Sequence, residues 1–173
     1  KTILSHKHSR VTIALAGIVA GVKGIHLIEQ IANAHYANRI EIDIFGYIQS
    51  PELRQKVESI PGVTLIANPT DFEFQTLLRE TDILLNYRMQ YNGETSLTVI
   101  EAMRHGVVTI VRDIGWYSEL PDNAVVKVKN QSDAIHEARL LIENDERRMD
   151  LSRAAIDYVR EYYTHRQYAV AIS

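Results

Sequence analysis

Apolar residues follow two rhythms along this chain, and they alternate. Short, densely apolar runs are read as buried strands: Val11 to Gly17, Ile40 to Gly46, Val63 to Ile66, Asp82 to Asn86, Val107 to Val111 and Ala124 to Val128. Between them the apolar positions recur at helical spacing. Lys23-Gly24 opens a helix with Ile25, Leu27, Ile28, Ile31 and Ala32 on one stripe, after a loop from Ile18 to Val22. Pro51 suits a first helical turn, so Pro51 to Ser59 is a second helix, followed by a Pro61-Gly62 turn. Asp71 is expected to cap a third, through Leu77, Leu78 and Glu80. Ser132 to Asn144 and Glu146 to Tyr163 close the chain as two more helices. Strand and helix thus succeed each other at the βα period. This predicts an α/β domain with a parallel sheet of about six strands and helices on both faces. Lys1 to Arg10 is polar and reads as a linker or leader ahead of a domain covering residues 11–173.

The helix between the fourth and fifth strands stands apart. It is led by Asn92-Gly93-Glu94-Thr95-Ser96, carries Leu97, Ile100 and Met103 with Val99 and Ala102 widening the stripe, and stops at Gly106. Thr95 or Ser96 caps its start, and Gly106 fits the left-handed position past its end. The first amides of a helix lack internal partners and sit at the positive end of the dipole, which suits an anion such as phosphate. In open parallel sheets ligands bind outside the carboxyl ends of the strands. The loops to watch are therefore Gly17 to Lys23, Gly46 to Ser50, Ala67 to Thr70, Tyr87 to Ser96 and Arg112 to Glu119.

Composition narrows the classes. The chain has 173 residues, 46% hydrophobic and 24% charged, which is enough for one domain with a full core. Its net charge of −3 gives no basic footprint for nucleic acid. There is no cysteine, hence no disulfide, thiolate catalysis or cysteine zinc site. No apolar run approaches the roughly 20 residues of a membrane span, and no signal peptide is visible. The chain begins at Lys1 and not at methionine, and is read as a fragment or a processed chain.

Several residues could carry chemistry. Lys23 at a helix start is either a phosphate ligand or a solvated cation. Arg88, just after the fourth strand, is either a phosphate fork or the ion-pair partner of a neighbour such as Glu94. Asp113 to Pro121 holds Gly115, which permits a tight approach, and Trp116 and Tyr117, which either cover a ligand or fill the core. Glu101 shares a helical phase with Leu97 and Thr98, so its carboxylate needs donors, from a ligand or else from backbone amides or Arg112. The seven histidines show no convincing ligand spacing, so no metal site is expected. GxGxxG after the first strand, a Walker lysine motif and a G-x-S-x-G elbow are all missing.

Gly93-Glu94-Thr95-Ser96, then Glu101-Ala102-Met103-x-x-Gly106, then Asp113-x-Gly115-Trp116 and Glu119-Leu120-Pro121 resemble the C-terminal domain of retaining, glycogen-synthase-like family-4 glycosyltransferases. Gly17-x5-Lys23-Gly24 resembles the same family's first loop. The resemblance runs from Val11 almost to the end. It implies the Rossmann-like C-terminal half of a GT-B enzyme, binding a nucleotide-diphosphate sugar as substrate and using no cofactor. The implied acceptor is a glycan, lipid or small molecule, held by an N-terminal domain toward which the last helix would pack. A cytoplasmic protein of glycan or polysaccharide biosynthesis is implied, with peripheral membrane association open to the full-length enzyme. Residue by residue, Lys23 would hold the diphosphate and the amides around Thr95, Ser96 and Leu97 would cradle it, with Gly17 and Gly93 also in the donor site and Glu94 toward the donor sugar. Arg88 would assist, Asn68 in the loop from Ala67 to Pro69 would border the base, and Glu101 would hold the ribose. Lys23, Arg88, Glu94 and Glu101 would be the groups acting in catalysis. The sequence departs from the family at Ile18, where arginine is usual, and at Gly93, where the first of two glutamates is usual and Glu94 comes one step late. Two alternatives remain open: a sugar-nucleotide epimerase of the same architecture, and a non-catalytic nucleotide-sugar binding domain.

Overall fold

The computed structural model describes residues 10–19, 24–32 and 38–163. Six strands form one all-parallel sheet: β1 (Val11–Val19), β2 (Ile40–Ile48), β3 (Val63–Ala67), β4 (Ile83–Asn86), β5 (Val108–Arg112) and β6 (Val126–Val128). Their spatial order is β3-β2-β1-β4-β5-β6. The order reverses between β1 and β4, and the crevice at that point is where such sheets take ligands. Six helices alternate with the strands: α1 (Ile25–Ala32), α2 (Pro51–Glu58), α3 (Asp71–Glu80), α4 (Leu97–Arg104), α5 (Gln131–Glu143) and α6 (Asp145–Tyr162). The predicted fold class holds.

The period-2 alternation of the strands builds two cores. Ile13 and Leu15 of β1, with Ile42 and Ile44 of β2, face one way and meet Leu27 and Ile28 of α1, Val57 of α2 and Leu141 of α5. Ala14, Ala16 and Phe45 face the other way and meet Leu78 of α3, Ile100 and Met103 of α4, and Ala155 and Val159 of α6. The last helix is thus anchored on this domain's own second core.

The boundaries shift in instructive places. Gly17 does not end β1. The strand continues past it, pairing through Val19 with Ile48, in place of the expected loop from Ile18. Gly17 and Gly46 lie opposite each other at positive φ, 94° and 133°, and a Cβ on Gly46 would stand 1.9 Å from the Gly17 carbonyl oxygen. The glycines are a point of close strand approach inside the ladder, not its end. Thr70, not Asp71, caps α3: its Oγ1 accepts from the Glu73 amide while the Glu73 carboxylate accepts from the Thr70 amide. α5 begins one residue before the expected Ser132, capped by Asn130, and β6 is shorter than the run from Ala124.

Candidate functional site

α4 starts where β4 ends, beside the point where strand order reverses. Of the two hydroxyls expected to cap it, Ser96 does so, its Oγ accepting from the Val99 amide at 3.4 Å. The first intrahelical bond runs from the Ile100 amide to the Ser96 carbonyl. That leaves the amides of Leu97 and Thr98 for a partner outside the helix. At the other end Gly106 takes φ 79°, the left-handed conformation predicted for it.

The loop ahead of α4 is organised by arginine. Arg88 pairs with Glu94, whose carboxylate also accepts from the Asn92 amide at 3.1 Å. Of the two alternatives for Arg88, the structure shows the ion pair with Glu94. The Glu94 amide holds the Glu94 carboxyl below its ordinary range against the opposing effect of burial, with Arg88 and the Asn92 amide adding smaller pulls in the same direction as the amide. Gly93 has φ 86° with open space where a Cβ would be, so its conformation, not crowding by the protein, calls for glycine. Thr95 and Leu97 are exposed and Ser96 is buried.

Arg112, at the end of β5, grips the start of the same loop. Its Nη1 donates to the Met89 carbonyl at 2.7 Å and the Arg88 carbonyl at 3.4 Å, and its guanidinium lies 5.8 Å from the Tyr87 ring centroid. The sequence offers Arg112 only as a partner of Glu101, because a clamp on backbone carbonyls leaves no residue pattern. The carboxylate of Glu101, with 18% of its side chain exposed, instead faces Arg104 at 3.6 Å, one turn along α4.

Of the two roles open to Tyr117, ligand cover or core, the structure gives it the second: it is fully buried in a 3-10 turn (Gly115–Glu119) after β5. Gly115 does permit a tight approach, but of Tyr91: a Cβ there would stand 2.1 Å from the Tyr91 ring. Trp116 packs edge-on against Tyr117.

Arg88, Gly93, Glu94, Thr95, Ser96 and Leu97 are thus gathered at one helix start. Gly17 is on the neighbouring strand, three residues beyond the Ala14–Leu84 pair. Asn68 follows β3, in the left-handed region at φ 52°, its amide donating to the Gly46 carbonyl at 2.8 Å. Three strand spacings separate β3 from β4, about 14 Å along the sheet edge. Lys23 lies outside the described residues. Among the described residues no three His, Asp or Glu gather as metal ligands, and no helix is long and apolar enough to cross a membrane.

No family model and no curated protein sequence matches the chain. Solved structures do. The C-terminal domain of a glycosyl transferase group 1 family protein (LpcC) from Francisella tularensis superposes with a TM-score of 0.72 at 19% identity, over 90% of this chain and 87% of that one. The fold is that of a GT-B C-terminal domain. A TarM mutant from S. aureus, in complex with fondaparinux, alpha-GlcNAc-glycerol and UDP, matches with a TM-score of 0.70 at 21% identity, over 95% of this chain and 35% of that one. A Listeria monocytogenes protein assigned as a UDP-N-acetylglucosamine 2-epimerase matches with a TM-score of 0.63 at 20% identity, over 84% and 40%. The chain therefore spans an isolated GT-B C-terminal domain but only about a third of the longer TarM chain.

Proposed function

We propose that this chain binds the nucleotide-diphosphate sugar of a retaining glycosyltransferase and serves as its donor half. The observation that carries the reading is the start of α4. Two amides without helical partners, the end of a helix dipole and the Arg88 guanidinium converge beside the reversal of strand order. A diphosphate there accepts from the amides of Leu97 and Thr98 and takes Arg88 from Glu94. The ribose and base extend along the sheet edge toward Asn68, and Glu101 accepts from ribose hydroxyls. The roles of Lys23 and Gly17 rest on the resemblance.

In the reaction the bond from the sugar's anomeric carbon to the diphosphate breaks, and a bond to an acceptor oxygen forms on the same face. Charge grows on the leaving diphosphate, which takes the acceptor's proton. Amides and Arg88 already aimed at that charge lower the barrier by electrostatic stabilisation. The acceptor and any groups that act on it belong to a second domain. Of the seven large hydrophobic residues exposed among the described residues, five stand at the carboxyl edge of the sheet: Ile18, Tyr47, Phe72, Met89 and Leu97. Their grouping supports a covering partner there.

Calorimetry with UDP, GDP and inorganic pyrophosphate tests the reading on this chain. Nucleoside diphosphate should bind, and donor sugar should not turn over without the acceptor half. Glu101→Gln keeps the shape and removes the charge. It should melt like the parent, lose most nucleotide affinity and keep most pyrophosphate affinity, since pyrophosphate has no ribose. A normally melting variant that binds UDP at parental strength removes Glu101 from the ribose. The likeness to the Listeria protein favours one second reading, a sugar-nucleotide epimerase. Product analysis of the longer protein separates the two, giving transferred or epimerised sugar.

A further inference from the structure

Tyr117 is fully buried, yet its hydroxyl makes no well-formed hydrogen bond among the described residues. It lies against Ser96 and Arg88. Three separate segments thus bring three polar groups together: the turn after β5, the cap of α4 and the loop after β4. The Arg88 Nε is also buried and unpartnered among the described residues, as is Oδ1 of Asn86, whose Nδ2 reaches the Ser96 Oγ at 3.4 Å. Glu94 holds the guanidinium by Nη1 alone. Burial pushes the Tyr117 phenol above its ordinary value, with Arg88 and Ser96 pulling the other way. Burying a phenol without a partner costs free energy that phenylalanine of nearly the same shape does not incur. Core packing alone favours phenylalanine here.

We infer that Tyr117 is a positioning residue for the anion site: its hydroxyl accepts from the Arg88 guanidinium and keeps that fork aimed at the α4 start when Glu94 yields to a phosphate group. The inference rests on the diphosphate reading above. Glu94 has somewhere to go, because 36% of its side chain meets solvent. Arg88, once released, would otherwise regain the rotamer freedom of a long side chain, and ordering it again would weaken binding. An anchor on one edge of the planar group leaves the other edge preset for phosphate oxygens. Ser96 adds to the arrangement: its Oγ meets the Asn86 amide and the Val99 amide and lies beside the phenol, so the phenol and the helix start border one polar cluster.

The test is a double-mutant cycle on Tyr117→Phe and Arg88→Ala, read by calorimetry with UDP and with pyrophosphate, alongside thermal melts. Tyr117→Phe should melt at or above the parent temperature and lose about tenfold in affinity for both ligands. In the Arg88→Ala background the same change should make no difference. Arg88→Lys, which keeps a charge but has neither Nε–H nor a planar fork, should also be indifferent to the hydroxyl. Parental binding by Tyr117→Phe overturns the role, and so does an equal loss with and without Arg88. A lower melting temperature without coupling to Arg88 marks the hydroxyl as structural and overturns it too. If the parent itself binds neither ligand, the diphosphate reading falls and takes this role with it; if the parent binds, the outcome bears on Tyr117 alone.

Discussion

The two edges of the sheet are built differently. At the amino edge polar groups close on one another. The Thr12 amide donates to the Asp82 carboxylate at 2.8 Å, the Asp82 amide to the Thr12 carbonyl, and the Val108 amide to the Asp82 carbonyl. The far end of α4 finishes there in a left-handed glycine, with His105 bonded to Gln75 at 2.6 Å. At the carboxyl edge the polar groups are left open. Six side-chain nitrogen or oxygen atoms are buried without a partner among the described residues. Five belong to His26, Asn86, Arg88, Arg112 and Tyr117, which sit at strand ends, helix starts or the loops between them. A folded chain satisfies nearly all its buried polar groups, so unsatisfied ones concentrated at one edge set that edge apart from the other. The amino edge is closed by its own hydrogen bonds; the carboxyl edge carries five of the six buried, unpartnered side-chain atoms among the described residues.

The contrast breaks most visibly at Gly46, which lies at the carboxyl edge but serves the fold. In Gly46→Val a Cβ placed 1.9 Å from the Gly17 carbonyl oxygen, at a φ of 133°, forces β1 and β2 apart. The expected loss exceeds about 3 kcal/mol, seen as a collapsed melting transition. A near-parental melt would show that the strands yield easily. Next in size is Arg88→Ala, expected to lose about tenfold or more in UDP affinity with little change in melting temperature. If affinity holds, the open edge is not a diphosphate site. Asp82→Ala is its mirror image at the other edge. Removing the acceptor of the buried Thr12 amide should cost about 1–3 kcal/mol of stability while UDP affinity stays within about twofold. A large binding defect there would abolish the distinction between edges.

The smallest effect is at His105. Burial, followed by the nearby Arg79, lowers its pKa from the ordinary 6.5, with Glu101 opposing. The unfolded chain therefore takes up the proton first as pH falls. This residue's contribution is complete above about pH 6.5 and is lost as pH drops through the folded value. His105→Gln should flatten the fall of stability between neutral and mildly acid pH, as read from melting temperature against pH, and leave UDP binding alone. An unchanged profile would remove His105 from the pH dependence.

By itself the sequence determined the alternation of six strands with helices, the parallel sheet covered on both faces, and the α4 segment from its hydroxyl cap to Gly106. These are local properties. Strand and helix periods are written in successive side chains, and caps depend on a few adjacent backbone groups. Even so, the choice between neighbours such as Thr70 and Asp71, or Thr95 and Ser96, was settled only by which side-chain oxygen faced the third amide of its helix. Tertiary structure alone decided the strand order that sets β4 beside β1, the closeness of Gly17 and Gly46, the grip of Arg112 on the Met89 carbonyl, and the placing of Tyr117 against Arg88 and Ser96. Each of these joins groups distant in the chain. The reason is geometric: a residue pattern records which way a side chain faces on its own element, whereas its partner is chosen by how the elements pack.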